Sequence, residues 1–181
     1  MKLILFNKPF QVMSQFSTHD TRPTLANYLT IPGIYPAGRL DADSEGLMLL
    51  TDDGQLQHKI SHPDHKEAKT YLVQVEGTPT PEQLLRLAAP LDLGDFITQA
   101  CQVQHIHAPD WLWPRNPPIR TRNDIPTSWL AITLKEGKNR QVRRMSAAVG
   151  LPTLRLIRSA IGPYSLSSHP LLPGESVDVA N

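Results

Sequence analysis

The chain opens with an unbroken apolar run, Leu3-Ile4-Leu5-Phe6, and a second such run follows at Leu47-Met48-Leu49-Leu50. Short runs without a polar interruption predict strands covered on both faces. The first, from Lys2 to Phe6, stops at the turn signals Asn7, Lys8 and Pro9. The second is closed by Asp52-Asp53-Gly54, which has hairpin or turn chemistry. From Lys69 to Glu76 the pattern alternates instead. Tyr71, Val73 and Val75 fall on one face and Leu72, Gln74 and Glu76 on the other, as in a strand. Trp129 to Leu134 alternates in the same way, Thr153 to Arg158 reads as another strand, and Pro173-Gly174-Glu175 leads into a last one through Val177 and Val179.

Helical periodicity is scarcer. Thr24 to Leu29 predicts a turn or two of helix, ended by Pro32-Gly33. Thr80-Pro81-Glu82-Gln83 combines a capping hydroxyl, a proline at the first helical position and a capping-box glutamine. The helix it starts would bury Leu84, Leu87, Ala88 and Leu91. A further helix is expected from about Arg140 to Val149, with Asn139 as cap, Gly150 as stop, and Val142, Met145 and Val149 on its inner stripe. Strands outnumber helices and several look hairpin-connected, so the fold class is α+β with a mixed, largely antiparallel sheet. Nothing in the composition cuts the chain into independent domains, so the expectation is one domain over residues 1–181.

Between His105 and Ser128 the pattern dissolves into a proline-rich stretch that carries Trp111, Trp113, Arg115, Arg120 and Arg122. Disordered linkers are usually poor in tryptophan, so an ordered excursion is expected. Its rings and cations suit stacking on unpaired bases as well as simple packing on the surface.

Composition excludes more than it selects. No stretch is apolar enough to span a bilayer, and the single cysteine, Cys101, rules out a disulfide framework. A cytoplasmic protein without membrane contact is the simplest reading. The net charge of +1 hides an uneven distribution. Lys135, Lys138, Arg140, Arg143, Arg144, Arg155 and Arg158 face only Glu136 within one segment, which therefore carries +6 and leaves the rest at −5. Such a concentration points to a local polyanion site. Arginines at a helix start also oppose the helix dipole, which favours an anionic partner over a merely solvated face.

The candidate for chemistry is Gly38-Arg39-Leu40-Asp41-Ala42-Asp43-Ser44-Glu45-Gly46, directly before the second apolar run. A loop pinned by a packed strand can hold a carboxylate still. The same acidic residues, with Asp52, also fit a solvated turn or a loose metal loop. Tyr71 reads either as a core tyrosine or as a ring that packs on a base. His58, His62 and His65 form the one histidine cluster, but without cysteine partners they do not make a metal site. Phosphate loops, dinucleotide fingerprints and serine elbows are missing, so no cofactor is expected.

Gly38-Arg39-Leu40-Asp41 with Ser44 and Gly46-Leu47, then Lys69-Thr70-Tyr71, then Glu136-Gly137-Lys138-Asn139-Arg140-Gln141-Val142-Arg143-Arg144-Met145, occur in order. They resemble the three sequence blocks of the RsuA-type pseudouridine synthases, the ribosomal RNA branch of that superfamily. Trp111-Leu112-Trp113-Pro114-Arg115-Asn116-Pro117-Pro118-Ile119-Arg120 further resembles members acting on large-subunit (23S) RNA. The resemblance implies a mixed, mostly antiparallel sheet with flanking helices and an RNA cleft across its middle. It implies Asp41 as the catalytic aspartate, Arg39 as an RNA contact and Tyr71 as the ring stacked on the target base. Arg143 would pair with the aspartate, with Arg140 and Arg144 near enough in sequence to compete for that role. Lys138, Arg140, Arg144, Arg155 and Arg158, with Trp111, Trp113, Arg115 and Arg120, become the expected RNA contacts. Many relatives carry an N-terminal S4-like RNA-binding module, whereas a catalytic-domain strand starts at Lys2, so targeting is expected to rest on this domain. The implied enzyme is a monomer that isomerises a uridine of ribosomal RNA, free or in an assembly intermediate, without metal or cofactor. A non-catalytic RNA-binding protein and a uracil-releasing glycosidase are the competing readings.

Overall fold

The computed structural model describes residues 1–62, 67–120 and 122–180, so His65 lies outside the described residues. In chain order the elements are β1 (Leu3–Lys8), a 3-10 turn (Leu25–Asn27), β2 (Tyr35–Pro36), β3 (Glu45–Thr51), α1 (Gly54–Ser61), β4 (Lys69–Glu76), α2 (Pro81–Ala88) and β5 (Gln102–Ile106). They continue with β6 (Thr127–Leu134), α3 (Gln141–Ala148), β7 (Thr153–Ile161), β8 (Tyr164–Ser165) and β9 (Ser176–Asp178). The chain divides into two compact units, one from Met1–Glu67 and Arg158–Asn181, the other from Ala68–Ile157.

In the first unit β3 pairs antiparallel with β1, and β1 with β9. Ile4 stands opposite Leu50 and Phe6 opposite Met48. These four gather Val12, Leu25, Leu29, Ile34 and Leu40 into a buried core. Leu3, Leu5, Leu47 and Leu49 point to the other face and are buried as well, which is why both strands read as unbroken apolar runs. The inward row Ile4, Phe6 continues to Lys8 by the two-residue period, so a lysine lands fully buried at the strand end. Gly46 lies opposite Lys8. Its φ of +111° and its close approach to β7 both demand glycine: a Cβ there would sit 2.3 Å from the Arg158 carbonyl oxygen.

The Asp52-Asp53-Gly54 signal marks a helix start, and the hairpin alternative is corrected. Asp53 Oδ1 accepts from Gln55 N at 2.9 Å and Leu56 N at 3.2 Å, making it the N-cap of α1. Thr24 and Asn27 form a reciprocal capping box, but the helix ends within one 3-10 turn.

In the second unit β4 pairs with β6 over its whole length, Lys69 opposite Leu134 through Glu76 opposite Thr127. The order there is β5-β6-β4-β7. Val73, Val75, Leu130, Ile132 and Leu134 pack against Leu87 of α2 and Val142 and Met145 of α3. The Thr80–Gln83 capping box forms as expected, and Leu84 and Leu91 join the core from partly buried positions. Two features depart from the sequence reading. Gln102-Val103-Gln104-His105-Ile106 is an edge strand despite having only two apolar residues. Asn139 does not cap α3: Arg140 takes that position with a left-handed φ of 53° and no side-chain cap bond. Gln141, the first helical residue, instead ties down the turn that leads into the helix, its Oε1 accepting from Lys138 N at 3.2 Å while its Nε2 donates to Glu136 Oε1 at 3.0 Å. No helix among the described residues is long and apolar enough to cross a membrane.

Two stability measurements test these constraints. At Gly33, with φ +77°, a Cβ would meet nothing within 4 Å, so Gly33→Ala isolates the backbone cost, about 1 kcal/mol. Gly46→Ala adds the clash with β7 and is expected to cost at least ~3 kcal/mol in urea unfolding; equal costs would show that β7 can move aside.

Burial pushes the Lys8 ammonium from 10.5 down to about 7, against the opposing pull of Glu45, Asp43 and Asp41 and with help from Arg158. An unfolded lysine holds its proton up to 10.5, so between about pH 7 and 10.5 the unfolded state binds more protons and folding stability rises with pH. Below pH 7 both states are protonated and that gain is gone. The wild type should therefore gain on the order of 3 kcal/mol from pH 6.5 to 9.5 relative to Lys8→Met. Parallel pH profiles for the two proteins would show that another group titrates.

Candidate functional site

Asp41 and Arg39 of the first unit project from the exposed side of a loop whose other residues are tied down. Leu40, between them, is buried in the core. Its N–H donates to Ser14 Oγ at 3.1 Å and its carbonyl accepts from the same hydroxyl at 2.6 Å. The Asp41 carbonyl accepts from Ser44 N at 3.0 Å, closing a tight turn. The Ala42 carbonyl accepts from Gln11 N at 2.6 Å and from Lys8 Nζ at 3.4 Å. Lys8 Nζ also donates to Pro9 O and Val12 O, each at 2.8 Å. Asp41 is thus an exposed residue on a backbone that has little freedom. Of the neighbouring residues, Ser44 is buried and Glu45 begins the buried strand, only 2% exposed beside the Lys8 and Arg158 charges. The acidic loop is therefore not a freely solvated turn. Among the described residues no three His, Cys, Asp or Glu side chains are placed to hold a metal ion.

Arg158 takes a different place from the one its charge suggests. It is 4% exposed, and its Nε donates to the Leu47 carbonyl at 2.9 Å. A guanidinium spent on a buried carbonyl is not available to a phosphate.

In the second unit Tyr71 is half-buried and packs on the same core as Val142 and Met145 of α3. The ring is therefore held by the core at its rim. Arg143 is partly buried, with Nε fully covered, whereas Lys138 and Arg140 are exposed. Arg144 is bound bidentately by Asp95, donates to Leu93 O at 3.1 Å, and lies with its Cζ 5.4 Å from the centre of the Phe96 ring. Hydrogen bonding to Arg144 holds the Asp95 carboxyl below its usual range and raises the guanidinium in return. Lys138 Nζ sits over the same ring, 5.0 Å from its centre. Sequence reasoning missed Asp95 and Phe96, since nothing in Gly94-Asp95-Phe96-Ile97 marks them as partners of a helix more than forty residues on.

Several described residues of the proline-rich excursion are packed against the rest of the second unit. Trp113 is 7% exposed, and Arg155, 6% exposed, donates to its carbonyl at 2.9 Å. Arg115 donates to Pro117 O at 2.9 Å, Leu154 O at 3.4 Å and Pro118 O at 3.3 Å. These three residues build the excursion and do not present it. Trp111, 40% exposed and tilted against Trp113 at 6.0 Å, and the exposed Arg120 remain at the surface. Arg122 is exposed too, and its Nε lies 3.8 Å from Glu76.

Known proteins carry the same plan. A family model described as RNA pseudouridylate synthase matches residues 2–148. A Xanthomonas campestris pv. campestris protein named ribosomal large subunit pseudouridine synthase E is 53% identical over 175 residues, covering 96% of this chain and 92% of its own. A Vibrio vulnificus protein of the same name is 52% identical over 179 residues, 99% of this chain and 75% of its own. Among solved structures, one described as a crystal structure of pseudouridylate synthase superposes with a TM-score of 0.79 at 29% identity, covering 99% of this chain and 70% of that one. With an α+β fold of this type, and a family model spanning all three sequence blocks up to α3, the chain belongs to the RNA pseudouridylate synthase family and is an isomerase.

Proposed function

We propose that the protein converts a specific uridine of large-subunit (23S) ribosomal RNA to pseudouridine, with Asp41 as the catalytic carboxylate. The observation that carries the reading is the Asp41 turn: an exposed carboxylate on a backbone whose carbonyls at 40, 41 and 42 are all hydrogen-bonded. The relatives named for the large ribosomal subunit supply the substrate class.

The conversion breaks the N1–C1′ bond and makes a C5–C1′ bond; the proton on C5 leaves and N1 gains one. It is redox-neutral and loses no atoms. The carboxylate meets the positive charge or the electrophilic carbon that develops when the base is detached. Tyr71, held at its rim by the core, offers a ring face to the extruded uracil, and Arg143 is the cation of the catalytic set. Extruding a paired base costs on the order of a few kcal/mol, and Arg39, exposed two residues before Asp41, can fill the vacated stack. Lys138 and Arg140 are the exposed cations at the start of α3 that suit phosphates, and Trp111 and Arg120 are the exposed pair on the excursion.

Asp41→Asn is expected to lower turnover by about 10⁴-fold while RNA affinity stays within roughly twofold. Release of tritium from C5-labelled uridine in 23S RNA measures it; undiminished release would remove Asp41 from the mechanism, and free uracil would make the enzyme a glycosidase. Lys138→Gln should reduce the slope of log affinity against log salt by about 1, and Arg144→Gln, already tied to Asp95, should not. Equal slopes for both variants would place the phosphates elsewhere.

A further inference from the structure

Residues 37–44 form no helix or strand, yet Leu40 is buried and its two backbone groups must be satisfied away from water. One hydroxyl does both. Ser14, 5% exposed, lies 2.6 Å from the Leu40 carbonyl and 3.1 Å from the Leu40 N–H. A serine hydroxyl has one proton and two lone pairs, so it can donate to the carbonyl and accept from the amide together. Met48 Sδ, 3.6 Å away, walls the pocket on a third side. The arrangement substitutes a side chain for the neighbouring strand that this loop lacks.

On the other side of Asp41 the same N-terminal segment acts again. Gln11 holds the Ala42 carbonyl through its own N–H at 2.6 Å, and it adopts a φ of 70°. That conformation is unfavourable for a residue with a Cβ, and it persists only where the surroundings fix it. Lys8, folded beneath the turn, ties Pro9, Val12 and Ala42 together through one ammonium group. Residues 8–14 therefore grip the chain immediately before and immediately after Asp41, and leave the exposed carboxylate between the two grips.

We infer that Ser14 is a positioning residue for Asp41, fixing through Leu40 the place at which the carboxylate meets the substrate. The inference rests on the catalytic assignment of Asp41 made above. Its physical basis is the sensitivity of reaction rates to placement: a displacement of about 1 Å can cost on the order of 10²-fold. Ser14 is 5% exposed and acts through Leu40, so its loss should appear in kcat and not in KM.

The test compares Ser14→Ala with a matched control. Thr51 is likewise buried in the first unit, and its Oγ1 also serves one carbonyl and one amide, donating to Lys2 O at 2.5 Å and accepting from Asp53 N at 3.1 Å. Thr51→Val removes both bonds away from the Asp41 turn. Both variants should lower Tm by a few degrees. Ser14→Ala should lower kcat by about 10²-fold at nearly constant KM, and Thr51→Val should leave kcat within about twofold. Ser14→Thr, which restores the hydroxyl, should recover kcat to within about tenfold of wild type even if the added methyl costs Tm. If Ser14→Ala does not fold, Ser14→Cys carries the test, because its thiol keeps the shape with a weaker donor and should lower kcat about tenfold at unchanged KM.

Wild-type kcat in Ser14→Ala or Ser14→Cys, a kcat loss in Thr51→Val as large as that in Ser14→Ala, or no recovery of kcat in a folded Ser14→Thr would overturn the inference. Asp41→Asn is run alongside. Turnover retained by that variant would sink the catalytic assignment itself, whereas an inactive Asp41→Asn beside a fully active Ser14→Ala would sink only the positioning role.

Discussion

Carbonyls in and beside the irregular segments have to find donors, and this protein supplies many of them with long cationic side chains. Lys8 reaches three carbonyls, Pro9, Val12 and Ala42. Arg158 reaches Leu47, Arg155 reaches Trp113, and Arg115 reaches Leu154, Pro117 and Pro118. An unpaired buried carbonyl would cost about 1–3 kcal/mol, and a charged donor makes a stronger bond than a neutral one. The long stems of these residues add apolar contact on the way in. Two irregular segments, the Asp41 turn and the proline-rich excursion, owe their order to this device. In the Asp41 turn Lys8 shares this task with the Ser14 hydroxyl and the Gln11 N–H, which hold the backbone on either side of Asp41.

The same device divides the positive charge into two populations. Arg155 and Arg158 are consumed inside the protein, and Arg144 is neutralised by Asp95. Lys135, Lys138 and Arg140 stay exposed at the turn before α3. The excess of +6 over residues 135–158 therefore overstates the field that a polyanion meets. What remains is concentrated at one helix start, together with the Phe96 ring that orients Lys138 from below. Burying Lys8 beside Glu45 has an electrostatic consequence as well. It places a titratable group beneath the Asp41 turn, with its charge set by the balance of burial against the acidic loop above it.

Much of the fold was legible because its signals are local. The apolar runs of β1 and β3, the alternation of β4 and β6, and the Thr80–Gln83 capping box each depend on residues within one element. The bounds of β4 match the alternating stretch, and those of the others lie within a few residues of it. The failures were cases where a distant partner decided. Gln102–Ile106 carries no strand pattern, but β6 offers a free edge to pair with. Asp53 looked like a turn residue until the chain beyond it turned helical and its carboxylate became the cap. For Lys8 there was a usable signal, since the inward row Ile4, Phe6 extends to it by simple alternation, yet the adjacent Pro9 argued for an earlier strand end.

The amino-acid sequence by itself determined which residue types the proposed chemistry draws on: Asp41 between two glycines and before a buried strand, Tyr71 on an alternating strand, and Arg143 on an amphipathic helix. Motif spacing suffices for that, because each block is short and its residues keep their identity in any conformation. Which cations face solvent and which are used up inside was decided only by the tertiary structure. Arg140 and Arg155 are the same residue type in the same basic segment, yet one is exposed and the other is buried against Trp113. The Ser14–Leu40 hydrogen bonds belong to the same class, since a hydroxyl twenty-six positions before Leu40 becomes its partner only when β1 and β3 have paired and the core beneath them has closed. Charge and hydrogen-bonding capacity are written in the residue, but the partner that consumes them is chosen by packing, because the cost of leaving a group unpaired exists only once folding has removed the water.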